Sequence, residues 1–437
     1  MKRFLIALGM AWCCAGLAKD AIELRTEADR RHLLYGSPQE VVIKIELTGA
    51  AAPTHRRPPL NIAVALDRSG SMTGAKIEKA RQAAIMLVDQ LGPKDVFSLV
   101  AFDGTVDVVV PAQTIEDKEA IKTRIARIQP RGSTAIHAAV ETAAEELQKN
   151  FSSKRINRVL LLSDGLANVG PSTPQALRRL GERLAQRGIS VSTIGVGDDY
   201  NEDLMSGLAE ASDANYYYVK DTEKLPEIFA RELGSLLTVA ARDIRIEIIC
   251  PRGIRPIGFI GRSEQFEDGR AVVVLNSLAA GQNRYLLLRC AADDFGKAAT
   301  RDLATIKASY VDGTGESRRE ISGQTVKVSF TDSPAVARAS INSAIVAQSE
   351  WMFNAVKKDE AIAEADAGRY QAAARKLSEQ ADKLSAQSPN APSDLRPQID
   401  AEVQSLREQS RQIAEGQYGQ GTRKYLQEQN WNVRNSK

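Results

Sequence analysis

The protein has 437 residues, of which 58 are lysine or arginine, 55 are aspartate or glutamate and 3 are histidine. That length exceeds one small module and predicts two or three domains with a buried core. The formal charge of +3 argues against a nucleic-acid-binding domain, which would concentrate basic residues. Because histidine is so scarce, a histidine-rich zinc site or a histidine-dependent catalytic centre is disfavoured, and a metal held by oxygen ligands is more natural.

The first eighteen residues have the pattern of a secretory signal peptide. Met1, Lys2 and Arg3 form a short basic start, and an apolar run extends from Phe4 to Ala18. This run is too short for an ordinary membrane-spanning helix, and it ends in small residues that suit a signal peptidase. We therefore expect cleavage after Ala18 and an exported protein, periplasmic or extracellular. No later stretch is long and apolar enough to span a bilayer.

Cleavage would leave two of the four cysteines, Cys250 and Cys290. Each of them ends an apolar run that is typical of a strand. In an oxidising compartment this pattern favours a disulfide between neighbouring strands. The alternative is a pair of small buried residues in a β core.

Residues 58–242 alternate between apolar runs and amphipathic segments. LNIAVALD at Leu60–Asp67 and RVLLLSDG at Arg158–Gly165 are predicted strands, and helical patterns such as Ala75–Leu91 and Pro174–Arg187 lie between such runs. Near-continuous apolar strands that alternate with helices predict a doubly wound α/β domain with a mostly parallel sheet. Ligands of such sheets bind beyond the carboxyl ends of the strands.

Polar side chains gather in three of the turns at those ends. Asp67, Ser69 and Ser71 follow the first strand, Thr134 opens a later helix, and Asp164 ends another strand. Two carboxylates and three hydroxyls form an oxygen-only set that suits Mg²⁺, with Mn²⁺ or Ca²⁺ as alternatives. Each element also has a local explanation, because the hydroxyls could cap helices and Asp164 could form a simple turn. Their joint occurrence in this order favours a metal site.

These residues resemble the metal-ion-dependent adhesion site of von Willebrand factor A domains. DRSGSM, the threonine of RGSTA and the aspartate of LLSDG fill all five motif positions, and the likeness covers residues 58–242. It implies that Ser69 and Ser71 bind the metal directly, whereas Asp67 and Asp164 bind directly or through water. Thr134 would approach in a high-affinity state. One coordination position would stay open for a carboxylate of a protein partner.

The resemblance also bears on the last helix of this domain, predicted at Lys224–Ala241. In such domains the last helix often moves along the sheet when the metal shell rearranges. The alternative is a helix that stays packed on the sheet.

The regions on either side of residues 58–242 are predicted to be β-rich. Residues 19–57 and 243–332 carry strand patterns separated by turn residues, and residues 50–59 have the composition of a linker. We expect the early strands to join the later ones, so that the α/β domain is inserted in a β-sandwich. An isolated N-terminal hairpin is the alternative.

Residues 333–437 are predicted to be helical, and their tail contains Tyr418, Tyr425 and Trp431, which could dock on another domain or on a partner. The whole arrangement resembles secreted bacterial A-domain proteins that are similar to calcium-activated chloride-channel regulators or inter-α-trypsin-inhibitor heavy chains. No stretch resembles a channel pore.

The leading hypothesis is therefore a metal-dependent protein-binding or adhesion module of the cell envelope, without enzymatic activity. A metal-assisted hydrolase and a scaffold with a purely structural metal are the alternatives. The hydrolase is disfavoured because His32, His55 and His137 are scattered. Only His137 lies near the motif, and a residue at that position more often packs or caps a helix than acts as a base.

Overall fold

The computed structural model describes residues 20–50, 57–262, 264–295, 299–313, 315 and 317–434. The predicted signal peptide and most of the predicted linker lie outside these residues. The strands are β1 Ile22–Ala28, β2 His32–Leu34, β3 Gln39–Gly49, β4 Leu60–Asp67, β5 Val96–Phe102, β6 Val106–Thr114, β7 Ile156–Ser163, β8 Ser190–Val196, β9 Tyr216–Val219, β10 Val239–Ile249, β11 Ile254–Phe259, β12 Arg270–Ala279, β13 Asn283–Ala292, β14 Thr300–Asp312 and β15 Arg318–Thr331. The helices are α1 Ala75–Gln90, α2 Lys118–Ala126, α3 Ile136–Lys149, α4 Pro174–Gln186, α5 Glu202–Ala211, α6 Leu225–Leu237, α7 Pro334–Ala339, α8 Ser343–Asp366, α9 Tyr370–Gln387, α10 Arg396–Ala414 and α11 Gln420–Arg434.

A six-stranded sheet in the order β6-β5-β4-β7-β8-β9 forms the centre of the α/β domain, which runs from β4 to α6. Neighbouring strands are parallel except β6, which is antiparallel to β5. Ile62 and Val64 of the central strand β4 pack under α1, α2 and α6, whereas Ala63 and Ala65 pack under α3, α4 and α5. The sheet is thus covered on both faces, which confirms the predicted doubly wound architecture.

Helix α6 is shorter than the sequence pattern predicts. It ends at Leu237, and Val239 already pairs with Ala279 as the first residue of β10. A short apolar run suits either a helix or a strand, and pairing with the distant β12 decides between them here.

Two mainly antiparallel sheets form a β-sandwich around a second core. One has the order β1-β3-β13-β11 and the other the order β12-β10-β14-β15-β2. Strand β3 lies between β1 and β13, so strands from before and after the α/β domain share one sheet. The short β2 pairs with β15 and joins the other sheet. The α/β domain is therefore inserted in a sandwich, and the N-terminal strands do not form an isolated hairpin.

Cys250 and Cys290 belong to opposite sheets of this sandwich. Cys250 directly follows β10, and Cys290 lies in β13. Both are buried free thiols, and they share a hydrogen bond. This structure does not join the two residues by the disulfide that the sequence favours. Their contact across the sheets leaves the disulfide as a prediction.

The helical region packs on the outer face of the β1-β3-β13-β11 sheet. Leu286 and Leu288 of β13 face the sandwich core, whereas Leu287 between them joins a cluster that includes Ile345 and Met352 of α8. That sheet is therefore covered on both faces at β13, whereas its edge strands β1 and β11 keep exposed residues. No helix in the described part of the chain combines the length and apolar content needed to cross a membrane.

The last helix, α11, contributes Val433 to this cluster and also docks on the α/β domain. Trp431 enters the core formed by α4 and α5, and Glu202 of α5 forms ion pairs with Arg423 at 2.5 Å and Lys424 at 2.8 Å. Of the aromatic residues in the predicted docking tail, Trp431 thus binds another domain of the same chain, whereas Tyr425 remains exposed.

Asp213 joins the α/β domain to the sandwich. Its carboxylate accepts hydrogen bonds from the guanidinium of Arg284 at 3.1 Å and from the main-chain N–H of Asn276 at 2.5 Å. The side-chain amide of Asn276 in turn donates to Ser190 Oγ at 2.7 Å and to the main-chain oxygen of Ser212 at 2.8 Å. These contacts fix β12 and β13 against the start of β8 and the end of α5.

Candidate metal site

The carboxyl ends of β4 and β7 bring two buried carboxylates to the same edge of the sheet. The two strands are parallel, with Leu66 opposite Leu162. Asp67 ends β4, and Asp164 directly follows β7. Both side chains are completely buried, so their charges require polar or cationic partners.

The turn after β4 supplies hydroxyl groups to these carboxylates. The main-chain N–H of Ser69 donates to Asp67 Oδ1 at 2.7 Å, and Ser71 Oγ donates to Asp164 Oδ1 at 2.7 Å. The Oγ atoms of Ser69 and Ser71 lie 3.1 Å apart. Ser71 is exposed whereas Ser69 is buried, so the cluster opens to solvent at Ser71.

Thr134 approaches the same point from the loop before α3. A Cβ atom on Gly165 would lie 3.0 Å from Thr134 Oγ1 and 3.6 Å from Ser71 Oγ. Asn168, in the loop after β7, holds Thr134 by accepting from its main-chain N–H at 2.8 Å and donating to its carbonyl at 3.1 Å. The structure therefore brings together all five residues that the sequence predicts as metal ligands.

Helix capping does not account for the three hydroxyls. The side chain of Ser69 makes no capping hydrogen bond to the short turn that follows it, and Gly74 is the residue that precedes α1. Helix α3 begins at Ile136, two residues after Thr134, rather than at Thr134 as the sequence suggests. Thr134 is thus free to present its hydroxyl to the strand ends.

The donor set fits a hard divalent cation. Burial raises the pKa of Asp67 to about 6, although hydrogen bonds from Ser163 and Ser69 act in the opposite direction. A cation between two buried carboxylates would offset the cost of keeping both ionised. Among the described residues, no three His, Cys, Asp or Glu side chains converge as a metal cluster. A site here would therefore depend on its hydroxyl oxygens as well as on Asp67 and Asp164.

A positively charged side chain contacts this cluster. The ammonium of Lys76, in the first turn of α1, forms an ion pair with Asp164 Oδ2. Asp164 thus shares its two oxygens between Ser71 and Lys76. Lys76 is not recognisable from the sequence, because its position in an amphipathic helix does not reveal that it reaches a strand end.

Four charged residues tie the surrounding loops together. Arg68 Nε and Arg131 Nε donate to the same oxygen of Asp103, at 2.8 and 2.7 Å, and both arginines also contact Asp107. Burial opposes ionisation of Asp103, but hydrogen bonds from Arg131, Thr105 and Arg68 hold its pKa well below the usual range of aspartate. The turn after β4 is thereby fixed to the loop that leads to Thr134. The sequence gives no sign of these long-range pairs.

The comparisons with known proteins agree with this geometry. A family model described as von Willebrand factor type A domain matches residues 61–231. This part of the chain is a von Willebrand factor type A domain. The A domain is the inserted α/β domain. Of the five clustered residues, Asp67, Ser69, Ser71 and Asp164 lie at the carboxyl ends of its strands, and Thr134 reaches the same edge from the loop before α3.

Two curated relatives match part of the chain. The Escherichia coli protein YfbK is 27% identical over 212 residues, which cover 48% of this chain and 37% of YfbK. Human inter-alpha-trypsin inhibitor heavy chain H4 is 29% identical over 160 residues, which cover 35% of this chain and 17% of that protein. The chain thus matches well under two thirds of either relative.

A likeness to a solved structure extends beyond the A domain. The von Willebrand factor type A protein from Catenulispora acidiphila superposes with a TM-score of 0.70 at 15% identity. The match covers 87% of this chain and 89% of that one, so it includes the flanking domains. At this identity the likeness concerns the fold.

Histidine lies away from the cluster in the described part of the A domain. His137 Nδ1 is 3.2 Å from Glu141 Oε2, one turn further along α3. His32 lies in β2 of the sandwich, and His55 falls outside the described residues.

Helix α6 of the A domain is held to the sheet by a buried carboxylate. Glu232 accepts hydrogen bonds from Ser192 Oγ at 2.5 Å and from the hydroxyl of Tyr217 at 2.8 Å. Arg158 lies 3.7 Å from the same carboxylate. Movement of the last helix, which the resemblance implies, stays a prediction, and such movement would have to break these contacts.

Proposed function

We propose that this protein is a metal-dependent protein-binding module. A divalent cation, most naturally Mg²⁺ with Mn²⁺ or Ca²⁺ as alternatives, would be held by Asp67, Ser69, Ser71, Thr134 and Asp164. The observation that carries the proposal is the convergence of these side chains, from three separate loops, on one solvent-facing point.

Each group has a distinct part in the proposed site. Asp67 and Asp164 supply the negative charge that attracts the cation. Ser69, Ser71 and Thr134 supply neutral oxygens, which leave more of the cation's charge for an incoming ligand. When bound, the cation would offer a position for an aspartate or glutamate carboxylate of a protein partner. The exposed Ser71 marks the side from which that partner would arrive.

We also propose where the protein acts and that it binds a partner rather than catalyses a reaction. The signal-peptide pattern of residues 1–18 supports action outside the cytoplasm, in the periplasm or beyond the cell. We assign the site to recognition rather than to an enzymatic reaction, since His137, the histidine nearest to the motif in the sequence, pairs with Glu141.

Metal binding can be measured on the mature full-length chain by calorimetric titration with Mn²⁺. We expect one bound ion per chain and at least about tenfold weaker binding for Ser69→Ala, which removes a direct ligand. Thr73→Ala is the matched control, because Thr73 lies in the same turn but donates its hydroxyl to the carbonyl of Gly70. Equal Mn²⁺ affinity in Ser69→Ala and the unaltered protein would contradict the metal site.

Partner binding is tested by capture from a native envelope extract with Mg²⁺ or with a chelator. We expect capture only with Mg²⁺, and loss of capture in a folded Ser69→Ala variant. If a partner is captured equally with chelator and by Ser69→Ala, the metal is not the recognition element, and the scaffold alternative takes precedence.

A further inference from the structure

An arginine-rich cleft lies between the A domain and the sandwich, away from the metal site. It encloses about 1260 Å³ and is lined by nine arginines, no lysine and five carboxylates. Its wall on the A domain includes the first residues of β7 and the start of β8, whereas the metal site lies at the opposite, carboxyl ends of these strands. For a chain that is nearly neutral overall, this is a strong local excess of positive charge.

Several of these arginines are not neutralised by carboxylates. Arg187 donates to the amide oxygen of Gln148 at 3.0 Å, and Arg155 donates to the main-chain oxygen of Lys94 at 2.6 Å. Arg158 lies 3.7 Å from the buried Glu232, whereas Arg245 lies 3.4 Å from Asp243 in a pair whose two side chains are both largely exposed. Guanidinium groups match carboxylates in a two-point geometry, so the cleft suits an acidic ligand.

The opposite wall of the cleft is an open sheet edge. Strand β12 is the terminal strand of its sheet, and its Val272 and Val274 are 51% and 45% exposed. The main-chain N–H of Asn276 points away from β10, because it donates to Asp213 of the A domain. Since N–H groups alternate in direction along a strand, those of Val272 and Val274 also point to the open edge.

We propose that this cleft binds an extended acidic segment of a partner polypeptide as an additional strand along β12. The partner's main chain would pair with the open edge at Val272 and Val274. Its acidic side chains, at every second position, would face arginines such as Arg187 and Arg245. An anionic polysaccharide would satisfy the arginines but could not pair with the strand edge, so the combination favours a peptide.

The test uses the full-length chain and a fluorescent peptide of ten residues, the length of β12, with glutamate alternating with valine or threonine. Fluorescence anisotropy should detect binding that weakens as salt is raised. Replacement of glutamate by lysine, or N-methylation of every second peptide amide, should abolish it. A sulfated oligosaccharide should not compete. Binding should persist with chelator and in Ser69→Ala, which separates this site from the metal site.

Charge reversal in the cleft provides the decisive comparison. The double variant Arg187→Glu, Arg245→Glu should bind the glutamate peptide at least about tenfold more weakly. Arg124→Glu, an exposed residue of α2 outside the cleft, should bind as the unaltered protein does. Val274→Asp tests the strand edge separately and should also weaken binding. The proposal is overturned if the glutamate peptide does not bind, if the N-methylated peptide or the oligosaccharide binds equally well, or if the double variant is unaffected.

Discussion

The ammonium of Lys76 contacts the carboxylate of Asp164, the strand-end residue assigned to the metal. A lysine and a divalent cation compete electrostatically when they share one carboxylate, because each positive charge disfavours the other. Lys76 would therefore lower the affinity of the proposed site for a metal, and it pairs with the buried Asp164 in this structure. The site would release its cation more readily than its five oxygen ligands alone suggest.

Replacing Lys76 by methionine removes the charge and retains most of the side-chain volume. We expect Lys76→Met to bind Mn²⁺ about three- to tenfold more tightly in a calorimetric titration. Lys79→Met is the matched control, since Lys79 lies on the same helix, is similarly exposed and pairs with Glu223 instead. Unchanged or weaker Mn²⁺ binding in Lys76→Met would show that the ammonium does not oppose the metal.

Asp103 should be the main support of the loops around the site. The substitution Asp103→Asn removes the buried partner of Arg68 and leaves that arginine paired only with the half-exposed Asp107. We expect a loss of about 2 kcal/mol in local stability. Mn²⁺ binding should weaken as well, because the turns that carry Ser69 and Thr134 lose their common anchor. Hydrogen exchange of the β4 amides would report the stability change.

Asp107→Asn is the comparison for this prediction. Asp107 contacts the same two arginines, but its side chain is 50% exposed against 5% for Asp103. We expect a loss below about 1 kcal/mol, as for other exposed ion pairs. Equal effects of the two substitutions would mean that burial of Asp103 has no part in holding the loops.

The sequence was sufficient to predict the five clustered residues. The carboxyl ends of the parallel strands β4 and β7 must meet at one edge of the sheet, which places Asp67 and Asp164 together. Thr134 lies in the loop between α2 and α3, and its place in the set followed from the resemblance to the family motif. The inserted sandwich was also predictable, because the few strands before the A domain would be marginally stable as an isolated hairpin and gain partners among the later strands. These inferences depend on local patterns and on rules that apply to every sheet of this kind.

The supporting contacts were not predictable in the same way. Lys76 and Asp164 are far apart in sequence, as are Arg68 and Asp103, and no spacing rule connects residues that meet only after the strands have paired. The end of α6 shows a second limit. Its continuation into Val239 has the composition of a helix, and only pairing with β12 makes it a strand. The cleft likewise arises from the arrangement of two domains.

The contact between the two domains should depend on the charge of Asp213. Burial disfavours its ionised form, but Arg284, the N–H of Asn276 and Arg262 lower its pKa below the ordinary value. Because the folded-state pKa lies below the ordinary pKa of aspartate, the ionised carboxylate stabilises the folded protein at every pH above that ordinary value. This stabilisation disappears as the pH falls through the folded-state pKa. The stabilisation by Asp213 is therefore lost over a pH range that lies below about 4.

Asp213→Asn removes the charge and suits the left-handed backbone at this position, where φ is 48°. We expect a lower melting temperature than the unaltered protein at neutral pH, from a loss of about 1–2 kcal/mol, and a difference that shrinks below about pH 4. Asp302→Asn, in a more exposed pair with Lys327, should change little. A melting difference that is the same at neutral and acid pH would contradict the ionic origin.

Cys250 and Cys290 should form a disulfide when the protein is oxidised. Their thiols already share a hydrogen bond across the two sheets, and the bond together with burial raises the pKa of Cys290, so oxidation should be slow rather than absent. Oxidised glutathione would take two electrons and two thiol hydrogens, lowering the mass by about 2 Da. Joining the sheets should stabilise the sandwich by about 2–4 kcal/mol.

Mass spectrometry after alkylation of the folded and then the unfolded chain distinguishes the outcomes. We expect no free thiol after oxidation and a higher melting temperature that returns to its initial value on reduction. Cys250→Ser should show neither the mass loss nor the temperature change under the same oxidant. If both thiols still react with the alkylating agent after oxidation and unfolding, the contact between them is not sufficient to form the bond. The two residues would then serve only as small apolar groups in the sandwich core.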